Sequence, residues 1–150
     1  MSTPPLDPAL LQAYRETLFE ALDEHPLTLR IGEPNESLRQ LHRRHDVTCS
    51  AFVTACNPRS ESLPAEENDR RHADLRAELQ HRGLTFFEGQ GRHPSNSWPP
   101  ERSLLVMGLE LAAARELGGR WAQNAIVWSG ADATPQLIVL DDDGDAAAPG

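Results

Sequence analysis

Lysine is missing altogether: all fourteen basic side chains are arginine, against twenty-three acidic ones and a formal net charge of −9. Without lysine there is no Schiff-base chemistry, no pyridoxal enzyme and no phosphate-loop lysine. The acidic balance argues against a surface that grips phosphate backbones by counterion release, so nucleic acid is not an expected partner. No apolar run approaches the roughly eighteen residues of a membrane span, and Met1-Ser2-Thr3-Pro4-Pro5 carries neither the basic region nor the apolar stretch of an export signal. Cysteine is reduced to Cys49 and Cys56. Placed in one strand, they would point to opposite faces, so no disulfide is expected, in keeping with an expected cytoplasmic location and no membrane partner.

A hydrophobic share of 39% over 150 residues suffices for one self-supporting core and no more. We expect a single domain over residues 1–140 and an acidic tail over 141–150 with nothing to bury. Asp7-Pro8 opens a first helix. Its extent has two readings: helical spacing carries it to Leu22, or a strand begins at Thr17 and turns at Asp23-Glu24-His25-Pro26 into Leu27–Ile31. A short helix over 36–45 follows, with Leu38, Leu41 and His45 on one stripe. Residues 51–56, apolar or small throughout, read as a central strand that stops at Asn57-Pro58. A long helix runs from about Pro64 to Gly83, and 84–87 is a further strand. Residues 88–101, rich in Gly, Pro, Ser and Asn, read as a long loop. Then come a buried strand over 103–107, a helix over 110–117 ended by Gly118-Gly119, and a hairpin of strands 125–128 and 136–140. The fold class is therefore α/β, an α+β mixed sheet of five to six strands with three to four helices. Right-handed crossovers are expected around the central strand and antiparallel hairpins at an edge.

Polar residues that interrupt this pattern mark the candidate site. On the long helix Asn68, Arg71, His72, Leu75 and Leu79 share one side, so the stripe is polar in its first half. That half should lie above the end of the central strand, where Asn57, Arg59, Asn68 and Arg71 would converge. Gln123-Asn124 places two more amides before a buried strand. Each of these amides has an alternative role in satisfying nearby backbone groups. Cys56 beside a helix start has the setting of an activated nucleophile but no base at a fixed spacing, which favours a small core residue. His42, His45 and Cys49 do not have zinc-cage spacing, and no metal or cofactor is expected. Glu66 and Glu67 suit the first turn of a helix by its dipole alone. Gly89-Gln90-Gly91 lacks the third glycine of a dinucleotide loop. Trp98 amid prolines is either a lid or partner-binding tip, or packing over the sheet edge.

Thr54-Ala55-Cys56-Asn57-Pro58, Glu66-Glu67-Asn68 with Leu75 and Leu79, Trp98-Pro99-Pro100-Glu101 before Ser103-Leu104-Leu105-Val106, and Gln123-Asn124-Ala125-Ile126-Val127-Trp128 occur in order. Together they resemble the bacterial family catalogued as domain of unknown function 3293, over residues 13–140. The resemblance confers no activity. It implies that Ala13-Tyr14-Arg15-Glu16-Thr17 precedes a strand, hence a shorter first helix and pairing of Thr17–Leu22 with Leu27–Ile31. Pro64 stands where a hydroxyl cap of the long helix would be natural.

Two functional readings follow. In one, Asn57, Arg59, Asn68, Arg71, Gln123 and Asn124 line a site for a small anion that guanidinium can grip; no base or nucleophile assigns a reaction. In the other, the protein is an interaction or assembly module, a homodimer being one form, and the polar network is structural.

Overall fold

The computed structural model describes residues 8–22, 26–93 and 100–140. Asp7, Trp98 and the acidic tail, with the roles expected of them, lie outside the described residues.

Helix α1 (Pro8–Glu16) gives way at once to β1 (Leu18–Ala21), which pairs antiparallel with β2 (Leu27–Leu29) in the register Phe19 to Leu29. The hairpin is the shorter-helix alternative, and Thr17 closes the helix by bonding its hydroxyl to Ala13 O at 2.7 Å. Helix α2 (Glu36–Arg44) begins at Asn35, whose Oδ1 accepts from Leu38 N at 2.9 Å, and carries Arg43 and Arg44 in its last turn against the negative helix end. Strand β3 (Ser50–Val53) is buried on both faces and ends before a short 3-10 turn at Pro58–Ser60. Then follow α3 (Ala65–His81), β4 (Phe86–Arg92), β5 (Glu101–Met107), α4 (Leu111–Arg120), β6 (Ala125–Ser129) and β7 (Pro135–Val139).

The seven strands form one sheet in the order β2-β1-β4-β5-β3-β6-β7, more strands than expected. Every adjacent pair is antiparallel, and each of the two helical crossovers around the central strand skips one strand. The reason lies in two interleaved crossovers. Strands β3 and β4 run the same way, joined by α3, but β5 sits between them; β5 and β6, joined by α4, are separated by β3. This split β-α-β arrangement, ferredoxin-like in topology, spans β3 to β6. The β1–β2 hairpin extends it at one edge and β7 at the other.

Register sorts the core into two layers. Ala51, Val53, Leu104, Val106 and Ile126 point to the face covered by Leu75 and Leu79 of α3 and by Ala114 and Leu117 of α4. Phe19, Phe52, Leu105, Met107 and Val127 point the other way, under Leu38 and Leu41 of α2. Two segments depart from the sequence reading. Residues 88–92, expected in a loop, continue β4 as the strand between β1 and β5. Gly89 is there because a Cβ would stand 2.6 Å from Glu20 O and 3.0 Å from the Phe52 ring, so the glycine admits the neighbouring strand. Gly118-Gly119 does not end α4, which continues to Arg120. A Cβ on Gly118 would meet Leu140 Cδ1 at 2.6 Å and Ile126 Cγ2 at 2.7 Å, so the glycine lets the helix lie close on the sheet.

Candidate functional site

Strand β3 ends, α3 begins, β5 begins and α4 ends at one end of the sheet, and four of the six candidate residues meet there. Asn57 adopts a left-handed conformation with φ 47°. Its N–H donates to Asn68 Oδ1 at 2.9 Å, and Asn68 Nδ2 donates back to Asn57 Oδ1 at 2.8 Å. Asn57 Oδ1 also accepts from Leu63 N at 3.0 Å, while Asn57 Nδ2 donates to Glu101 Oε2 at 3.0 Å. The pair of amides thus ties the end of β3 to the first turn of α3 and to the start of β5.

Arg71, one helical turn on from Asn68, sends Nε to Ala55 O at 2.5 Å and Nη2 to Trp121 O at 2.8 Å, with its guanidinium 5.3 Å over the Trp121 ring. Gln123, buried at 6% exposure, donates from Nε2 to Cys56 O and to Trp121 O, both at 3.2 Å. Arg59 enters through its main chain: its N–H donates to Ala122 O at 2.7 Å. Asn124 lies one residue further, where its carbonyl receives Leu140 N at 2.8 Å and fixes the outer end of β7. Five non-glycine residues among those described have positive φ, and three of them, Asn57 (47°), Arg59 (56°) and Ala122 (58°), adjoin one another here. Such conformations cost about 1–3 kcal/mol each and persist where surroundings over-determine them; the amide and guanidinium bonds supply that determination.

The electrostatics are uneven. Arg71 is half-buried, and its hydrogen bonds go to carbonyls, with no carboxylate paired to it among the described residues. Burial pushes the Glu101 carboxyl up to about 7, against the single opposing bond from Asn57. Burial also raises the Cys56 thiol, whose Sγ contacts Arg102 O at 3.7 Å and Asn68 O at 3.9 Å. A thiol held protonated in this way is an inert packing group. Glu66 and Glu67 are exposed. His42, His45 and Cys49 scatter: His42 Nε2 bonds to Ser50 Oγ at 2.8 Å, His45 meets the Phe87 ring, and Cys49 Sγ lies 3.4 Å from Leu109 O. Among the described residues no three His, Cys, Asp or Glu side chains are grouped to hold a metal, and no helix is long and apolar enough to cross a membrane.

Sequence reasoning missed a second polar cluster. His72, 1% exposed on α3, directs Nε2 to Glu88 Oε1 at 3.0 Å and Oε2 at 3.2 Å; Arg76 bonds the same carboxylate, and Arg102 lies 3.8 Å from it. Burial holds the imidazole below its ordinary value, so the neutral ring donates through Nε2–H and leaves Nδ1 as a buried acceptor without a partner among the described residues. Burial alone would raise Glu88, but His72 and Arg76 outweigh it and keep the carboxylate ionised. His72 stood on the predicted stripe; its partner lay in the segment read as loop. Glu101, quoted only as part of a motif, was missed for the same reason. A separate cavity of about 200 Å³, lined by Pro26, Leu27, Ser37, Gln40, Leu41 and Arg44, lies between β2 and α2 and involves none of these groups.

Fold and site together define a single-domain α+β protein built on a split β-α-β core, with a strained polar turn at the end of β3. The family described as Protein of unknown function (DUF3293) matches residues 53–126 of the chain. The match runs from the last residue of β3 through α3, β4, β5 and α4 to the start of β6 and contains all six candidate residues, but is shorter than the resemblance over 13–140. No curated protein and no solved structure matches the chain.

Proposed function

We propose that this protein binds a small anion at the turn after β3, with Arg59 and Arg71 supplying positive charge and Asn57, Asn68 and Gln123 holding the turn. Asn124 anchors β7 beside them. The observation that carries this reading is the gathering of three strained residues around a half-buried guanidinium that no described carboxylate neutralises. Backbone strain concentrates where a site is preorganised, and a guanidinium is suited to a carboxylate, sulfate or phosphate group. The setting proposed is the cytoplasm of a bacterium, supported by two unpaired, buried cysteines and by the family resemblance; no reaction, cofactor or nucleic acid enters the proposal.

The test is a thermal-shift series with phosphate, sulfate, small dicarboxylates and nucleotides. A ligand present at about one hundred times its Kd adds roughly 2.7 kcal/mol, or roughly 5–10 °C in Tm for a domain of this size. The expected result is stabilisation of the wild type by at least one anion and its loss in Arg59→Gln. Indifference to every anion would overturn the reading.

One observation favours a second reading. The amides of Asn57 and Asn68 bond each other, the Leu63 N–H and Glu101, and Arg71 and Gln123 bond the main-chain carbonyls of Ala55, Cys56 and Trp121, so these side chains are already engaged in holding the turn together. A purely structural network in an interaction or assembly module has this property. Sedimentation of the free protein discriminates: a stable homodimer unaffected by anions supports the second reading, and a monomer stabilised by an anion supports the first.

A further inference from the structure

Glu101 raises a question that the anion reading must answer, and the inference rests on that reading. The carboxyl lies at the same turn, its Oε2 bonded at 3.0 Å by the side chain of Asn57, itself one of the strained residues. It is half-buried, and no ion pair to it is found among the described residues. The cations nearest in the chain are engaged elsewhere: Arg102 reaches Asp69 at 3.4 Å and Glu88 at 3.8 Å, and Arg71 bonds the carbonyls of Ala55 and Trp121. The other charged or titratable groups at this end are Arg59 of the turn itself, Cys56 just after β3, whose thiol is kept protonated by burial and in part by the charge of Glu101, and Asp69 on α3, which is paired to Arg102.

A bound anion and an ionised carboxylate cannot share such a place without mutual repulsion in a partly dehydrated setting. We infer that Glu101 is the proton gate of the site: an anion enters as Glu101 takes one proton from solvent, and is released as that proton leaves. The bond from Asn57 survives either state, because a neutral carboxyl still offers an acceptor oxygen. Burial already brings this carboxyl to about 7, so the exchange falls in the neutral range. His42 and His72, both held low by burial, stay neutral above pH 7 and do not contribute.

Sulfate is the suitable probe, since its own ionisation is far below this range. Isothermal titration of the full chain with sulfate at pH 6, 7, 8 and 9, at constant ionic strength, should show affinity falling toward tenfold per pH unit above 7. Paired buffers of different ionisation heat should show uptake approaching one proton per sulfate at pH 8. Glu101→Gln should bind at pH 8 as it does at pH 6. Equal wild-type affinity at pH 6 and pH 9, absence of proton uptake at pH 8, or an unchanged pH profile in Glu101→Gln overturns the gate while leaving the anion site standing. No binding by either protein at pH 6, with no thermal shift from any anion, removes the site itself and the gate with it. The proton count needs only the wild type, so the test survives a variant that fails to fold.

Discussion

Replacing Asn68 by alanine probes the network at its most connected point. Asn68 accepts from Asn57 N at 2.9 Å, donates to Asn57 Oδ1 at 2.8 Å, and makes a third contact to Leu63 O at 3.4 Å, near the limit of a useful bond. Two well-formed bonds are worth about 1 kcal/mol each, and the half-buried Asn57 N–H left without its acceptor adds a desolvation penalty of similar size. The loss should therefore be about 2–3 kcal/mol, with little offset from the better helix propensity of alanine. For a domain of 150 residues this lowers Tm by roughly 5–10 °C. Urea unfolding of Asn68→Ala, Asn57→Ala and the double variant measures it. The two losses should be non-additive by at least about 1 kcal/mol, because each variant already deletes the bonds between the pair. An Asn68→Ala protein within about 0.5 kcal/mol of wild type, or strictly additive variants, would refute the claim that these amides hold the turn.

Gly118→Ala should destabilise despite its helical position. The added carbon meets Leu140 Cδ1, which can swing away, and Ile126 Cγ2, which is stiff at its branched Cβ, so overpacking exceeds the gain in helix propensity by about 1–2 kcal/mol, read as a lower urea midpoint. Glu101 carries a proton in the folded chain up to about 7, where the unfolded chain loses it near the ordinary carboxyl value of 4.5. Stability from this group is therefore complete below pH 4.5 and lost as pH rises through 7, by at most about 3 kcal/mol. Glu101→Gln should gain on the wild type between pH 5 and pH 8, and parallel stability curves would contradict the assignment. His42 and His72 act at the other end: both are lowered by burial, so their contribution is complete above pH 6.5 and lost as pH falls below it. Chemical denaturation should show this acid sensitivity starting above the carboxylate range, and His42→Gln, which can still bond Ser50, should reduce it.

The sequence made some of this visible and not the rest, for identifiable reasons. Leu75 and Leu79, the apolar end of the α3 stripe, are wholly buried, and the polar start of the same stripe places Asn68 and Arg71 at the end of β3 because helical spacing and a strand stop are local properties. What those side chains bond was not local: the carbonyl of Trp121 arrives from the end of α4 and the carboxyl of Glu101 from the start of β5. Strand β4 was hidden because Gly89 and Gly91 suggest a loop by composition, whereas Gly89 serves a close approach to Glu20 and Phe52 that only the sheet order creates. Gly118 misled in the same way; it marks a tight helix-to-sheet contact and not a helix end. The strand order was not legible because insertion of β5 between β3 and β4, and of β3 between β5 and β6, leaves no trace in hydrophobic periodicity.

The most direct test of the central claim is to locate an anion in crystals grown free of sulfate and phosphate and then soaked in selenate. The account predicts an anomalous peak at the turn of residues 57–60, within hydrogen-bonding reach of Arg59 or Arg71, absent from crystals of Arg59→Gln. Selenate bound only at lattice contacts, or the same peak in both proteins, would contradict it.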